Sequence, residues 1–378
     1  MISQPHDNLY INIEKPNLLK KQILQDFDHK DALSRLKAKN EFDGHLVYGS
    51  RRFHETTHRS TATKDGPADG HIHKEQKLVV KQVSEGVYKR IAEFWEDVTE
   101  CPVCNSLDRD FFVSRFALDI YACRSCTHHY MHPRIKFKKL VQLYAHDQTA
   151  KQIYISKSQV DIDVVKSKYG LKLIDKLGLP DKNRILDIGC GSGKFLDTAL
   201  KHGWRECVGV DANTSFGDFH ASNGVKYIYS DFESLDLATI GSGFSAITLW
   251  NVLEHLYDLK SIVGQLKSQL KDQGLLFVMV PNVTSLATKI IREKSATFNW
   301  KHVAHFSPKS LRKLMEDSGF KTVLVETAIS EIENIKSYMN GYWPYCGHGD
   351  PDGHFDWITP QFLDERMMGS RLIGVFRK

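Results

Sequence analysis

The chain of 378 residues lacks any apolar run long enough to cross a membrane. Its longest, GLLFVMV at 274–280, is far short of the roughly 20 residues that a spanning helix needs. The first residues, MISQPHDNLYINIEK, carry acids and no apolar stretch of the signal-peptide kind, so no secretory leader is expected. Charge of one sign is also scarce, because 51 Lys and Arg against 46 Asp and Glu leave a net +5. No stripe of Lys and Arg with interleaved aromatics appears. Charge therefore does not call for nucleic acid, although it tolerates an anionic substrate. Cysteine is sparse. Seven in this length build no disulfide framework, and four of them stand in two C-x-x-C pairs, which points to metal in a reducing cytoplasm. There is no internal repeat. What remains is an ordinary globular composition, 41% hydrophobic and 26% charged, sufficient for one large core or two modest ones.

Three segments are expected along the chain: 1–98, 99–135 and 136–378. The first is polar and includes HETTHRSTATKDGPADGHIH, whose His54, His58, His71 and His73 have no regular ligand spacing and read as a solvated loop. From Lys77 to about Asp97, Val80, Val83, Val87, Ile91 and Phe94 recur every three or four residues and predict a helix. The second segment carries CPVC (101–104) and CRSC (123–126). Each pair sets two thiolates on a tight turn, and Cys101, Cys104, Cys123 and Cys126 together complete a tetrahedron around Zn²⁺. Four thiolates leave no water position, so the metal is structural, and the nearby His128, His129 and His132 read as packing residues.

From Val164 onward, strands and helices alternate. RILDI (184–188), ECVGV (206–210), VKYIY (225–229), SAITLW (245–250), LLFVMV (275–280), KTVLVE (321–326) and RLIGVF (371–376) read as strands. Helices are expected from Lys194, near 213–222, along Leu256, Leu259, Val263, Leu266 and Leu270, and over 308–318 after a Ser307-Pro308 start. This alternation predicts a Rossmann-like doubly wound α/β sheet, with an insertion at about 327–370 before the last strand.

The chemistry concentrates in ILDIGCGSGKFL (185–196). Gly189, Gly191 and Gly193 are spaced G-x-G-x-G, and Lys194 stands where a dinucleotide fingerprint needs its third glycine. Asp187 precedes the turn by two residues. A carboxylate there repels a pyrophosphate and suits a cation, and S-adenosylmethionine, with its sulfonium and ammonium, has the right sign. The second strand ends in VGVDAN, where Asp211, followed by Ala212, can accept both ribose hydroxyls. In SDFESL, Asp231 can accept from an adenine amino group while Phe232 lies against the ring.

The ordered set LDIGCGSGKF, VGVDAN, SDFESL, LWNVLEHL, GLLFVMVPN and HFSPKSLRKLMEDSGF, over about 165–326, resembles a class I S-adenosylmethionine-dependent methyltransferase. The resemblance implies that Asp187, Gly189, Gly191 and Gly193 contact the methionine part, Asp211 the ribose, and Asp231 and Phe232 the adenine, with Asn251 near the methionine end. With its cysteine module in front, the chain is similar to bacterial methyltransferases that include deoxysugar C-methyltransferases. Tyr144 and Tyr154 lie in the segment that follows such modules, where they either cover the cofactor or pack a helix.

A methyl acceptor of the hydroxyl kind needs a base, and histidine suits neutral pH. NWKHVAHFSPKSL (299–311) resembles a segment of the sugar C-methyltransferases in which an acid–histidine pair precedes FS, which makes His302 the candidate. Here Lys301 stands where those enzymes have a carboxylate, and their larger C-terminal domain is absent. Both departures favour O-methylation or another small acceptor. His255, in NVLEHLYD, is the second candidate and otherwise closes a helix start; His305 reads as packed. Cys346 and His348 fall in the insertion, which could form an acceptor pocket. The expected function is methyl transfer to a sugar or sugar-nucleotide hydroxyl. The alternatives are an RNA methyltransferase docking through the zinc ribbon, or a cofactor-binding assembly protein without catalysis. LWNVLEHL lacks the N-P-P-aromatic turn used for base amines, which weighs against RNA.

Overall fold

A computed structural model describes residues 72, 74–146, 157–219, 224–230, 235, 239–329, 331–332, 335 and 357–378. The long apolar runs become the inner strands of one large sheet, since parallel strands covered on both faces need side chains that are apolar all round. These strands are Arg184–Ile188 (β8), Glu206–Asp211 (β9), Val225–Tyr229 (β10), Phe244–Trp250 (β11), Leu270–Pro281 (β12), Lys321–Ala328 (β14) and Arg371–Arg377 (β15). Their order is β10-β9-β8-β11-β12-β15-β14. Strands β8 to β12 run parallel, while β15 is antiparallel to both neighbours. Strand order reverses between β8 and β11, so a crevice opens at their carboxyl ends.

Helices cover both faces. Lys157–Lys176 (α2) and Lys194–Lys201 (α3) close one side, where Tyr169, Leu173, Phe195 and Leu196 meet Ile185, Ala246 and Phe277. Leu259–Gln269 (α4) and Pro308–Asp317 (α6) close the other, where Leu259, Val263, Leu311 and Leu314 meet Leu186, Ile247 and Leu276. Ser307 caps α6 in a reciprocal capping box with Ser310, and Pro308 fills the first turn. Leu256 and Leu270 fall outside α4, because Asp258 caps its start and Leu270 already belongs to β12. Near 213–222, the described residues form a 3₁₀ turn, Thr214–Phe219.

The helix expected over 77–97 is absent. That stretch is a short 3₁₀ turn followed by a hairpin of Val80–Ser84 (β1) and Val87–Arg90 (β2). Val80, Val83 and Val87 are β-branched and favour strands, and Gly86, at φ 69°, supplies the turn between them. Val80 is buried while Val83 and Val87 are exposed, so their spacing never described one helical face.

The cysteine segment folds as antiparallel strands Arg109–Arg115 (β4), Leu118–Cys123 (β5) and His129–Met131 (β6). Trp95–Glu96 (β3) and Arg134–Ile135 (β7) form a separate pair, and Phe137–His146 (α1) follows. The three-stranded sheet gains a fourth strand, Ala304–His305 (β13), from the chain beyond β12. Its core also runs into the larger domain, since Cys101, Cys126 and Tyr130 pack with Ala304, Phe306 and Leu311. Phe306 is fully buried beside His128. Phe306→Ala should therefore cost about 3–5 kcal/mol, as large-to-small changes at such sites do. Calorimetry should show one unfolding transition, shifted down as a unit; two separable transitions would contradict a shared core.

Candidate functional site

The glycine turn lies where β8 meets α3, at the edge where strand order reverses. Gly189, Gly191 and Gly193 all have positive φ, at 69°, 51° and 73°. A Cβ on Gly189 would sit 2.4 Å from the Val252 side chain, and one on Gly193 would sit 2.3 Å from the Tyr227 hydroxyl. Gly189 and Gly193 are thus required twice, by conformation and by space, and Gly191 by conformation alone. Asp211, at the end of β9, braces the turn: Oδ2 accepts from Gly191 N at 2.7 Å and Oδ1 from Asn213 N at 2.8 Å. Each oxygen keeps further lone-pair capacity for a ligand hydroxyl. Ala212 is exposed beside it.

Asp187 is buried beneath the turn and accepts from the Thr248 hydroxyl at 2.6 Å. Burial pushes its carboxyl up to about 8; the Thr248 hydrogen bond opposes this, and the nearby Asp211 charge adds to it. A cation arriving here would pull it back toward ionisation. Asn251 follows β11 at φ 56°, with its N–H donating to the Met279 carbonyl at 2.8 Å. Its Oδ1 is buried with no hydrogen-bond partner among the described residues. Asp231 and Phe232 lie outside the described residues, as do Tyr154, Cys346, His348 and His54, His58, His71 and His73.

A second cluster occupies the same edge. Glu254 and His255 sit on the turn after β11, and His302 on the segment after β12, with a carboxylate oxygen and two ring nitrogens within 4.8 Å of one another. This donor set suits proton transfer and could also hold a divalent cation. The His255 and His302 rings are 4.9 Å apart, and His302 and His305 6.2 Å. Burial lowers all three imidazoles, His255 to about 4, His305 to about 3 and His302 well below the usual value. All three are therefore neutral near pH 7, the form that can accept a proton.

Their surroundings differ. His305 is buried against Phe298, and both ring nitrogens lack partners among the described residues, as expected of a packed residue. His255 is half-buried, and its Nδ1 is 2.9 Å from the Lys301 carbonyl and 2.8 Å from the Tyr144 hydroxyl. His302 is half-buried, with Nδ1 2.8 Å from the Thr297 carbonyl. A carbonyl only accepts, so Nδ1 carries the hydrogen, and the Nε2 lone pair faces the Asn299 amide nitrogen at 3.3 Å. Lys301 sits over the Tyr144 and Trp300 rings. Glu254 was not singled out from sequence. It is buried, both its oxygens lack partners among the described residues, and burial pushes its carboxyl to about 8. Thr248 and Tyr227 were missed for the same reason: their roles arise from contacts between strands.

The four cysteines converge. Cys101 and Cys126 sulfurs are 3.5 Å apart, as are Cys104 and Cys123, and all four lie within 4.8 Å. Zn–S bonds of about 2.3 Å in a tetrahedron give sulfur separations of roughly 3.8 Å, so the cage fits zinc. Cys101 is pushed down to about 5, chiefly by the thiol of Cys126 beside it, whereas Cys126 is pushed up. His128 is buried between Tyr130 and Phe306 and takes no part in the cluster, in line with a packing role.

The strand order, the positive-φ glycine turn and the acid beneath it together describe a methyl-donor fold. In agreement, the family described as "Methyltransferase domain" matches residues 165–325. Residues 165–325 are therefore similar to a methyltransferase domain. Among similar proteins, the ubiquinone biosynthesis O-methyltransferase of Bartonella tribocorum is 30% identical over 162 residues, 41% of this chain and 63% of that one. The C-methyltransferase NovU of Streptomyces niveus is 24% identical over 220 residues, 56% of this chain and 49% of that one. A SAM dependent methyltransferase structure from Archaeoglobus fulgidus is 19% identical, covering 61% of this chain and 100% of that one at a TM-score of 0.42. The chain thus spans about half to under two thirds of these two curated relatives.

Metal analysis of protein purified without chelator should find one zinc per chain. Cys123→Ser should lower both the zinc content and the melting temperature; unchanged values for both would remove Cys123 from the ligand set.

Proposed function

We propose that this protein transfers a methyl group from S-adenosylmethionine to a hydroxyl of a small, sugar-like acceptor, with His302 as the base. One observation carries the reading. A cation-seeking carboxyl, a positive-φ glycine turn and a neutral, half-buried histidine share one edge of the sheet. The relatives support it at the coarser level, since one is named as an O-methyltransferase and another as a C-methyltransferase.

S-adenosylmethionine supplies an electrophilic methyl group on a positively charged sulfur. Asp187 offers the compensating field beneath the turn, and Gly189, Gly191 and Gly193 let the backbone approach the methionine part. Asp211 would accept from the ribose beside Ala212, Asp231 and Phe232 would serve the adenine, and Asn251 would serve the methionine end. His302 would take the hydroxyl proton on Nε2 as the acceptor oxygen bonds to the methyl carbon and the sulfur–methyl bond breaks, releasing S-adenosylhomocysteine. His255, held by the Lys301 carbonyl, would support the His302 ring. The four cysteines hold zinc as a structural metal. No helix among the described residues is long and apolar enough to cross a membrane.

Two measurements test the donor site. Asp211→Ala should weaken S-adenosylmethionine by about 1.5–3 kcal/mol, the value of a charged hydrogen-bond acceptor. Asp187 is protonated below about 8 in the empty site and must ionise to meet the cation, so binding releases a proton. Affinity should therefore rise with pH up to about 8 and then level off, and Asp187→Asn should flatten the profile. An affinity independent of pH in the wild type would remove Asp187 from the donor site.

The base is tested by turnover. Candidate sugar nucleotides and hydroxylated metabolites would be screened by release of S-adenosylhomocysteine. With a working acceptor, His302→Ala should lose roughly 10²–10⁴-fold in kcat with little change in donor affinity. His255→Ala should lose less, or act through stability; the reverse ranking would exchange their roles.

A further inference from the structure

The segment carrying His302 is thin on support of its own. β13 is only two residues long, and such a strand has little independent stability. On one side, the end of β12 holds it: Val283 N donates to the Phe306 carbonyl at 2.9 Å, and Asn282 bridges to Phe306. From the turn after β11, the Glu254 carbonyl accepts from Val303 N at 3.0 Å. Further contacts come from the second cysteine turn and from β6, which follows it. His129 and Tyr130 pair with His305 and Ala304, and Met131 N donates to the Val303 carbonyl at 3.1 Å. Lys309 Nζ donates to the Ser125 carbonyl at 3.2 Å.

Thr127 is the nearest link between cage and segment. Its N–H closes the cysteine turn on the Cys123 carbonyl at 3.0 Å, at φ 61°, a conformation that a β-branched residue rarely adopts. In that conformation, its hydroxyl lies 2.6 Å from that of Ser307, the residue that caps α6. Cys126 and Thr127 are adjacent, so whatever orders the cage orders this hydroxyl.

We propose that the metal-loaded cysteine cage positions the acceptor side of the active site, with Thr127 as the positioning residue that fastens 303–307, and so His302, to the cage. A structural metal's binding energy is folding energy for whatever its ligands order, and here that reaches across to the methyltransferase domain. The donor turn, at the end of β8, is instead held by β9, through Val210 and Asp211. The proposal rests on the placement of His302 at the acceptor edge and on the metal assignment, and its test needs no methyl transfer.

The experiment is hydrogen exchange on the full chain, with S-adenosylhomocysteine calorimetry and metal content measured in parallel. Thr127→Val should keep the metal and bind S-adenosylhomocysteine within about twofold of wild type. Its amides over 303–307 should exchange roughly three- to tenfold faster, the factor one net hydrogen bond controls. Thr127→Ser, which restores the hydroxyl, should return them to wild-type rates; a role in packing alone would not be rescued this way. Removing the metal should speed exchange over 303–307 at least as much, while 275–280 stays protected. Wild-type protection over 303–307 in both Thr127→Val and metal-free protein would overturn the proposal and leave methyl transfer untouched. A chain purified without any metal would overturn it together with the metal assignment. If metal removal instead unfolds 275–280 as well, the Thr127→Val and Thr127→Ser pair decides alone.

Discussion

The hydrogen bond from Thr248 to Asp187 joins β11 to β8 at the one place where the order of the sheet reverses. It determines how the donor site is built. The bond holds a carboxyl under the glycine turn and favours its ionised form, while burial wins and keeps that group protonated, hence neutral, up to about 8 in the empty site. A protonated acid is tolerable in a core; an ionised one is not, unless a cation comes with it. The crevice is thus tuned toward a positively charged ligand by a residue that is itself almost inaccessible. Asp211 adds the second constraint, because its carboxylate shapes the turn through Gly191 and Asn213 before any ribose arrives.

Burial acts on the histidines in the opposite sense, and the two effects are complementary. Desolvation disfavours charge, so it raises carboxyls and lowers imidazoles. Asp187 and Glu254 are driven toward the neutral acid and His255, His302 and His305 toward the neutral base, all along one edge. What separates the three histidines is their contacts. The Lys301 carbonyl and the Tyr144 hydroxyl hold His255, aromatic packing encloses His305, and the Thr297 carbonyl and the Asn299 amide hold His302; the His255 and His302 rings are both half-buried.

The cysteine module belongs to this edge as well. β13 completes its sheet, and its buried residues join the same core as α4 and α6. Tyr144, on the helix that follows the module, reaches His255 across more than a hundred residues of chain. The acceptor side is therefore assembled from three separated stretches, while the glycine turn and its bracing acid come from one continuous run, β8 through β9, to which β11 adds Thr248.

That difference explains what was legible in the sequence. The glycine turn, its acid, the strands of the large sheet and the four cysteines were readable because each depends on local patterns. These are apolar runs, glycine spacing and C-x-x-C turns whose ligands lie two residues apart. The helix expected over 77–97 was misread because valines three and four apart also suit a hairpin, and only the burial of Val80 without Val83 or Val87 distinguishes the two. Glu254, Thr248, Tyr227 and Thr127 were invisible because no local pattern marks them. The groups they lie beside, His302, Asp187, Gly193 and Ser307, are brought to them by strand order and by the pairing of β6 with β13. The sequence by itself determined where the glycine turn, its acid and the two close cysteine pairs fall in the chain. Only tertiary packing decided that the three histidines stay neutral and that His255 and His302 keep part of their surface open, since protonation and exposure are set by what surrounds a side chain in space.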